Sequence, residues 1–227
     1  MEPIHDRPEQ VLVGVITTDR DLQLIERVHG GMTHLSEHCT WDVLVVARET
    51  DRGVRDRWRQ LGAEVITVCD YAVGKSPDFW KLAEMRNVIT RCGRERGVDA
   101  VLFVDSDIIV DGVVTRELLT GSRYADVVVV PGRMRWNHEF TVGVMEHGRF
   151  RFADVRELSG AGSFPRIVGG GMGCTLVRAS ALDVPFEPVQ LNGVPGEDIG
   201  FFYEIFANRP ELVVRCTGWP HVATHLY

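Results

Sequence analysis

Apolar residues fall along this chain in two rhythms. "VLVGVITT" (Val11–Thr18) is an unbroken β-branched run, as expected of a strand buried on both faces. "WDVLVVARE", "AEVITVCDY", "AVLFVDSDIIV" and "ADVVVVPGRM" repeat that signature. Between these runs the spacing turns helical. Asp19 precedes "RDLQLIERVHGGM", apolar at Leu22, Ile25 and Val28 and ending in Gly30-Gly31. "RGVRDRWRQLG" predicts a short basic helix closed by Gly62, "FWKLAEMRNVITRCGRERG" a longer one ending at Gly97, and "DGVVTRELLTGS" a further one. Strand and helix thus alternate over the first ~130 residues, the pattern of a parallel, doubly wound sheet.

The rest of the chain changes character. "EFTVGVMEHGRFRFADV" predicts a hairpin turning at His147-Gly148, and "GGGMGCTLVRASAL" a Gly-rich approach to another strand. "GEDIGFFYEIFANR" has the pattern of an amphipathic helix, and "ELVVRCTGWPHVATHLY" of a closing strand and tail. No repeat or low-complexity linker breaks the chain. The expectation is one α/β domain over residues 1–227, with a parallel half to about residue 130 and a mixed-sheet half from about 131.

Composition narrows the function classes. The 227 residues are 44% hydrophobic and 25% charged, an ordinary globular balance. A net charge of −7 weighs against a broad electrostatic grip on nucleic acid, which needs a basic face. Cys39, Cys69, Cys92, Cys174 and Cys216 have neither zinc-ligand nor redox spacing, which suits reduced thiols in a cytoplasmic protein. The start, "MEPIHDRPEQ", is too polar for a signal peptide, and no apolar run is long enough to span a bilayer.

The chemistry concentrates in "AVLFVDSDIIVDG" (Ala100–Gly112), where an apolar run ends in carboxylates. In a continuous strand Asp105 and Asp107 share one face and Ser106 takes the other. Carboxyl ends of parallel strands are where open α/β sheets bind ligands. Two adjacent carboxylates repel unless a cation lies beside them, and hard divalent ions accept such oxygens.

A parallel βαβ start followed by an apolar strand ending in Asp-x-Asp resembles the GT-A glycosyltransferases, family 2 and its relatives among them. Three further stretches extend the resemblance across nearly the whole chain: "KLAEMRN", "GEDIGFFYEI" and "HVATHLY". It implies a Rossmann-like nucleotide-sugar half and an acceptor half. The Asp-x-Asp motif of that fold holds Mn²⁺ or Mg²⁺ on the donor diphosphate. By this match Asp105 and Asp107 are metal-side residues, completed by His225, with His221 as the alternative. Lys81, Arg86 and Asn87 face the donor from their helix. Thr17, Thr18 and Asp19 after the first strand, Arg48 and Glu49 after the second, and Asp105 with Ser106 line the nucleoside and ribose. Gly170, Gly171 and Met172 lie on the acceptor side. Asp198 is the general base, with Glu197 assisting acceptor binding. The implied activity is a non-processive transfer from a nucleoside-diphosphate sugar to an acceptor hydroxyl, with inversion favoured over retention, although retaining families carry an acidic pair at the same place.

Rival motifs fail or lack support. "CDYAVGKS" carries Cys69 where a P-loop needs its first glycine, and "GGGMGC" ends in Cys174 where a dinucleotide fingerprint needs its last. No Gly-x-Ser-x-Gly elbow and no Gln-x-x-Arg-Trp element occur. "VLFVDSDIIV" also resembles the first motif of haloacid-dehalogenase-type phosphatases, which normally opens its fold; here several strand-helix units precede it. That phosphatase, and a non-catalytic nucleotide-sugar-binding protein, are the two alternatives.

Overall fold

The computed structural model describes residues 2–69, 79–132, 141–147, 149–154, 156–158, 164–191, 194–218 and 224–226. In chain order, β1 (Gln10–Ile16), α1 (Ile25–Met32), β2 (Thr40–Arg48), α2 (Arg52–Gln60), β3 (Glu64–Val68), α3 (Phe79–Arg96) and β4 (Ala100–Asp105) alternate as the hydrophobic pattern predicts. A short β5 (Ile108–Ile109) and α4 (Gly112–Gly121) lead to β6 (Val127–Val129). The second half contributes the hairpin β7 (Val142–Glu146) and β8 (Arg149–Phe152), then β9 (Gly169–Gly170) and β10 (Cys174–Arg178). After the small pair β11 (Val189–Leu191) and β12 (Val194–Gly196) come α5 (Glu197–Asn208), β13 (Val214–Cys216) and β14 (Thr224–His225).

Seven strands form one sheet in the order β13-β6-β10-β4-β1-β2-β3. All run parallel except β10, which is antiparallel to both β4 and β6. The sheet therefore passes without a break from the first half of the chain into the second. One face packs on α1, α2 and α4 through Val28, Met32, Trp58 and Leu118. The other packs on α3 and α5 through Ile89, Phe201, Phe202 and Ile205. Burial on both faces is why β1, β2 and β4 read as continuous apolar runs. The hairpin turns where expected, with His147 in the left-handed region at φ 50°.

Three local expectations are corrected. Strand β4 ends at Asp105, and Ser106-Asp107 form a turn before β5, so strand alternation does not govern Asp107. The apolar run continues because Ile108 and Val110 are themselves core residues, yet Asp111 accepts N–H bonds from Val113 and Val114 and starts α4. The residue that caps the first helical segment is Thr18, which forms a capping box with Asp21, while Asp19 lies inside the first turn. Gly30-Gly31 do not stop α1, which runs to Met32. Packing of Val28 and Met32 on the sheet outweighs the low helix propensity of glycine.

Candidate functional site

The carboxyl ends of β1, β2 and β4 lie side by side, with Ile16 in register with Asp105 and with Val46. The Asp105 N–H bonds the Gly173 carbonyl at 2.8 Å, tying the motif turn to the approach into β10. A Cβ on Gly173 would stand 2.6 Å from Asp105 Oδ2, so the Gly-rich stretch ends in glycine because the carboxylate lies against it. The Asp105 side chain keeps 42% of its surface exposed.

Beneath it sits Arg86 from α3, only 7% exposed. Its Nε donates to Glu197 Oε1 at 3.1 Å, and its Nη2 lies 3.5 Å from Asp105 Oδ1. The guanidinium carbon is 5.7 Å from the Phe103 ring centroid and 6.0 Å from that of Phe186, a cation–π setting. Burial alone disfavours this charge, but Asp105, Glu197 and Asp198 outweigh it and raise the Arg86 pKa above its ordinary value. Arg86 thereby joins the end of β4 to the first turn of α5.

Asp198 is the perturbed acid of the group. Burial, then the neighbouring Glu197 charge, push its carboxyl up to about 6 against the pull of Arg86. One oxygen, Oδ1, accepts the Ile199 N–H at 2.7 Å, which fixes the orientation of the carboxylate at the start of α5. Glu197 is buried, and its carboxylate is engaged by Arg86.

The residues expected around the nucleoside fall into two networks. Asp21 Oδ2 accepts from the Thr18 N–H at 3.1 Å, the Thr18 hydroxyl at 3.2 Å and the Ser106 hydroxyl at 2.7 Å. Arg48 grips Asp51 through two bonds of 2.7 and 2.8 Å. Asp51 accepts the Asp19 N–H, and Asp19 in turn accepts the Val54 N–H. Burial opposes the Asp51 charge, but the Arg48 side chain and backbone and the Asp19 N–H hold its pKa below the usual carboxylate value. Thr17 is buried, and its hydroxyl has no hydrogen-bond partner among the described residues. Exposed Glu49 lies beside Cys69, and the Lys81 ammonium donates to the Cys69 carbonyl and pairs with Glu84 at 3.3 Å. Asn87 directs both ends of its amide to the Phe186 backbone.

Of the residues expected on the acceptor side, Gly170 pairs with Val142 in a strand beside α5, and Gly171 donates to the Thr141 carbonyl. Met172 is a core side chain. The His225 side chain and the whole of His221 lie outside the described residues. The backbone at His225 is placed: β14 pairs with β5, His225 opposite Ile108, and the Leu226 N–H donates to the Asp107 carbonyl at 2.7 Å. The C-terminal segment therefore abuts the Asp105–Asp107 turn. Among the described residues no three His, Cys, Asp or Glu side chains are grouped to hold an ion. Asp21, Asp51 and Phe186 are organising residues that the motif reading misses. The Thr18-x-x-Asp21 capping pattern is the one local signal for any of them.

No family model matches the chain. The protein H233R of African swine fever virus (strain Badajoz 1971 Vero-adapted), itself uncharacterized, is 32% identical over 122 residues, covering 45% of this chain and 50% of the viral protein. The chain thus spans about half the length of the curated relatives it matches. Among solved structures, glucosyl-3-phosphoglycerate synthase from Mycobacterium tuberculosis, in complex with Mn²⁺, UDP and phosphoglyceric acid, superposes with a TM-score of 0.58 at 16% identity. The match covers 96% of this chain and 71% of that one. TarS of S. aureus (residues 1–349), in complex with UDP-GlcNAc, gives 0.57 at 15% identity, covering 96% and 58%. Both are GT-A-type glycosyltransferases, and this chain has a GT-A-like α/β fold. Among the described residues no helix is long and apolar enough to cross a membrane.

Proposed function

We propose that this protein transfers a sugar from a nucleoside-diphosphate sugar to an acceptor hydroxyl, non-processively and with inversion, using Mn²⁺ or Mg²⁺. The observation that carries this reading is the cluster in which one buried cation, Arg86, is shared by Asp105 of the motif turn and the Glu197 and Asp198 start of α5. It sits at the carboxyl edge of a sheet whose structural neighbours bind UDP, UDP-GlcNAc and Mn²⁺.

The donor set fits a divalent ion. Among the described residues Asp105, Glu197 and Asp198 share the Arg86 guanidinium, and Asp107 adds a further acid at the motif turn. Carboxylate oxygens are the ligands that hard divalent ions accept. The Asp105 side chain keeps 42% of its surface exposed at that turn, so its carboxylate is accessible to a ligand. Asp105 and Asp107 would hold the ion, with His225 brought alongside by the β14–β5 pairing. When bound, the ion offsets charge on the departing nucleoside diphosphate. Asp198 takes the acceptor proton as the acceptor oxygen bonds the anomeric carbon and the bond to the diphosphate oxygen breaks. A pKa near 6 keeps this carboxylate ionised at neutral pH while leaving it basic enough to accept the proton. Arg86 holds Asp105 and Glu197 in place so that these charges are preorganised. The nucleoside lies over the Thr17–Asp19 and Arg48–Glu49 ends, with Lys81 at the β3 side, and the acceptor lies by Gly170, Gly171 and α5.

A thermal-shift panel of UDP- and GDP-sugars with and without Mn²⁺ tests this, because a ligand bound to the native state raises its melting temperature. A shift that needs both donor and metal is expected. Absence of any shift across the panel overturns the reading.

A further inference from the structure

Asn87 lies one residue from Arg86 on α3, yet its amide makes two hydrogen bonds elsewhere. Its Nδ2 donates to the Phe186 carbonyl at 2.9 Å, and its Oδ1 accepts the Phe186 N–H at 2.9 Å. A side-chain amide here does what a neighbouring strand would do, satisfying both backbone groups of a residue outside any strand. What it grips is central to the site. The Phe186 ring stacks on Phe201 of α5, with centroids 4.6 Å apart and planes 11° apart, and meets Phe103 of β4 at 5.5 Å, edge-on. The same two rings, Phe186 and Phe103, lie under the Arg86 guanidinium. At the next residue, the Glu187 carbonyl rests against Gly200 of α5 so closely that no Cβ fits there. Residues 186–187 therefore form a strap: clamped to α3 by Asn87, stacked on α5 by Phe186, and seated on the first turns of α5 at Gly200.

We propose that Asn87 is a positioning residue: through the Phe186–Glu187 strap it sets where α5 presents Asp198 beside Arg86. This rests on the reading of Asp198 as the base that takes the acceptor proton. The positioning role differs from donor contact, the role the Arg-Asn resemblance implies, and the two give opposite kinetic signatures. A residue that aligns reacting groups acts on kcat, and a misplacement of ~1 Å at the chemistry can cost on the order of 100-fold. A residue that holds donor in ground and transition state alike acts on donor affinity.

The test compares wild type with Asn87→Ala in three measurements: calorimetric affinity for UDP with Mn²⁺, release of UDP from the sugar donor selected by the thermal panel, and hydrogen exchange at residues 197–201. The expected result is a UDP affinity within about twofold of wild type, since a change that small lies well below the tenfold step of 1.4 kcal/mol. kcat falls at least tenfold, and exchange accelerates in the first turn of α5 ahead of β1 and β4. A loss of UDP affinity that accounts for the whole loss of kcat/KM overturns the proposal in favour of donor contact. An unchanged kcat overturns it as well. Should wild type bind neither UDP nor GDP with Mn²⁺, the transferase reading fails while the strap is still decided by exchange. Unaltered protection at 197–201 in Asn87→Ala then sinks it.

Discussion

Ser106, the middle residue of the Asp105–Asp107 turn, donates a 2.7 Å hydrogen bond to Asp21, whose same oxygen accepts both the N–H and the hydroxyl of Thr18. One carboxylate oxygen thus joins the Asp105–Asp107 turn, proposed to hold the ion, to the loop after β1, where the nucleoside is proposed to lie. Removing the Ser106 hydroxyl should cost about 1 kcal/mol, and Asp21→Ala about 2–3 kcal/mol, because three donors then lose their acceptor. Asp21→Ala should also weaken Mn²⁺-dependent UDP binding roughly tenfold, equivalent to about 1.4 kcal/mol. Urea unfolding and calorimetry measure the two effects. An Asp21→Ala protein with full stability and full affinity would show that the linkage carries neither.

Asp198→Asn separates function from stability. The native carboxyl is raised from 3.8 to about 6, so the fold favours the protonated form. Stability therefore falls as pH rises from about 4 to about 6, and the penalty is fully present above that window. An amide resembles the protonated acid and escapes it. At pH 7.5 the variant should be more stable than wild type, by at most about 3 kcal/mol at 1.36 kcal/mol per pKa unit. Below pH 4 the two should melt alike, and sugar transfer should be lost throughout. In wild type the rate should fall as pH drops through about 6. A variant that transfers sugar at the normal rate removes Asp198 from the base role.

The elements that could be read from the sequence are those whose burial is two-sided or strictly periodic. Strands β1, β2 and β4 sit inside the sheet with helices on both faces, so every position from Val11 to Val15 and from Val43 to Ala47 is apolar or glycine. Helix α5 shows because Phe201, Phe202 and Ile205 must all reach the core while Glu197 and Asp198 start the first turn. The sense of β10 does not show, because "CTLVR" is equally apolar whichever way it runs. Nor does the end of β4, since Ile108 and Val110 prolong the apolar run past the turn. Asn87 and Phe186 lie 99 residues apart, and no local pattern announces a bond across that distance. The acids of the site were legible as types at strand and helix ends. The resemblance separates Asp198 as base from Glu197 as acceptor aid, but that Glu197 engages Arg86 while Asp198 carries the raised pKa follows only from packing.

The Arg86–Glu197 pair is buried on both sides, with side-chain exposures of 7% and 5%. Removing one partner of such a pair leaves an uncompensated charge in the interior, at a cost of about 3–5 kcal/mol. Glu197→Gln should be milder than Arg86→Gln, because Arg86 retains Asp105 and Asp198 nearby whereas three acids lose their shared cation in the other variant. Arg86→Gln should also move the pH at which Asp198 titrates upward, since Arg86 is the charge that lowers it. A double-mutant cycle by denaturant unfolding should return a coupling of about 1–3 kcal/mol, as for residues sharing one network. Additive single effects would mean that the pair is a bystander.

His225→Ala probes the proposed C-terminal contribution to the metal. The pairing of β14 with β5 and the bond from Leu226 to the Asp107 carbonyl are backbone interactions, so they survive the substitution. Folding should therefore be preserved, with a melting temperature close to wild type. The Mn²⁺ concentration that half-saturates UDP binding should rise about 10- to 100-fold, the range for losing a group that supports a metal site. Asp107→Ala should show the same rise, and EDTA should abolish donor binding in wild type and variants alike. Imidazole favours Mn²⁺ over harder ions such as Mg²⁺, so losing it should narrow the gap between Mn²⁺ and Mg²⁺ as activators. If His225→Ala leaves the Mn²⁺ dependence of UDP binding unchanged while Asp107→Ala abolishes it, the ion is held by the carboxylate turn without this histidine.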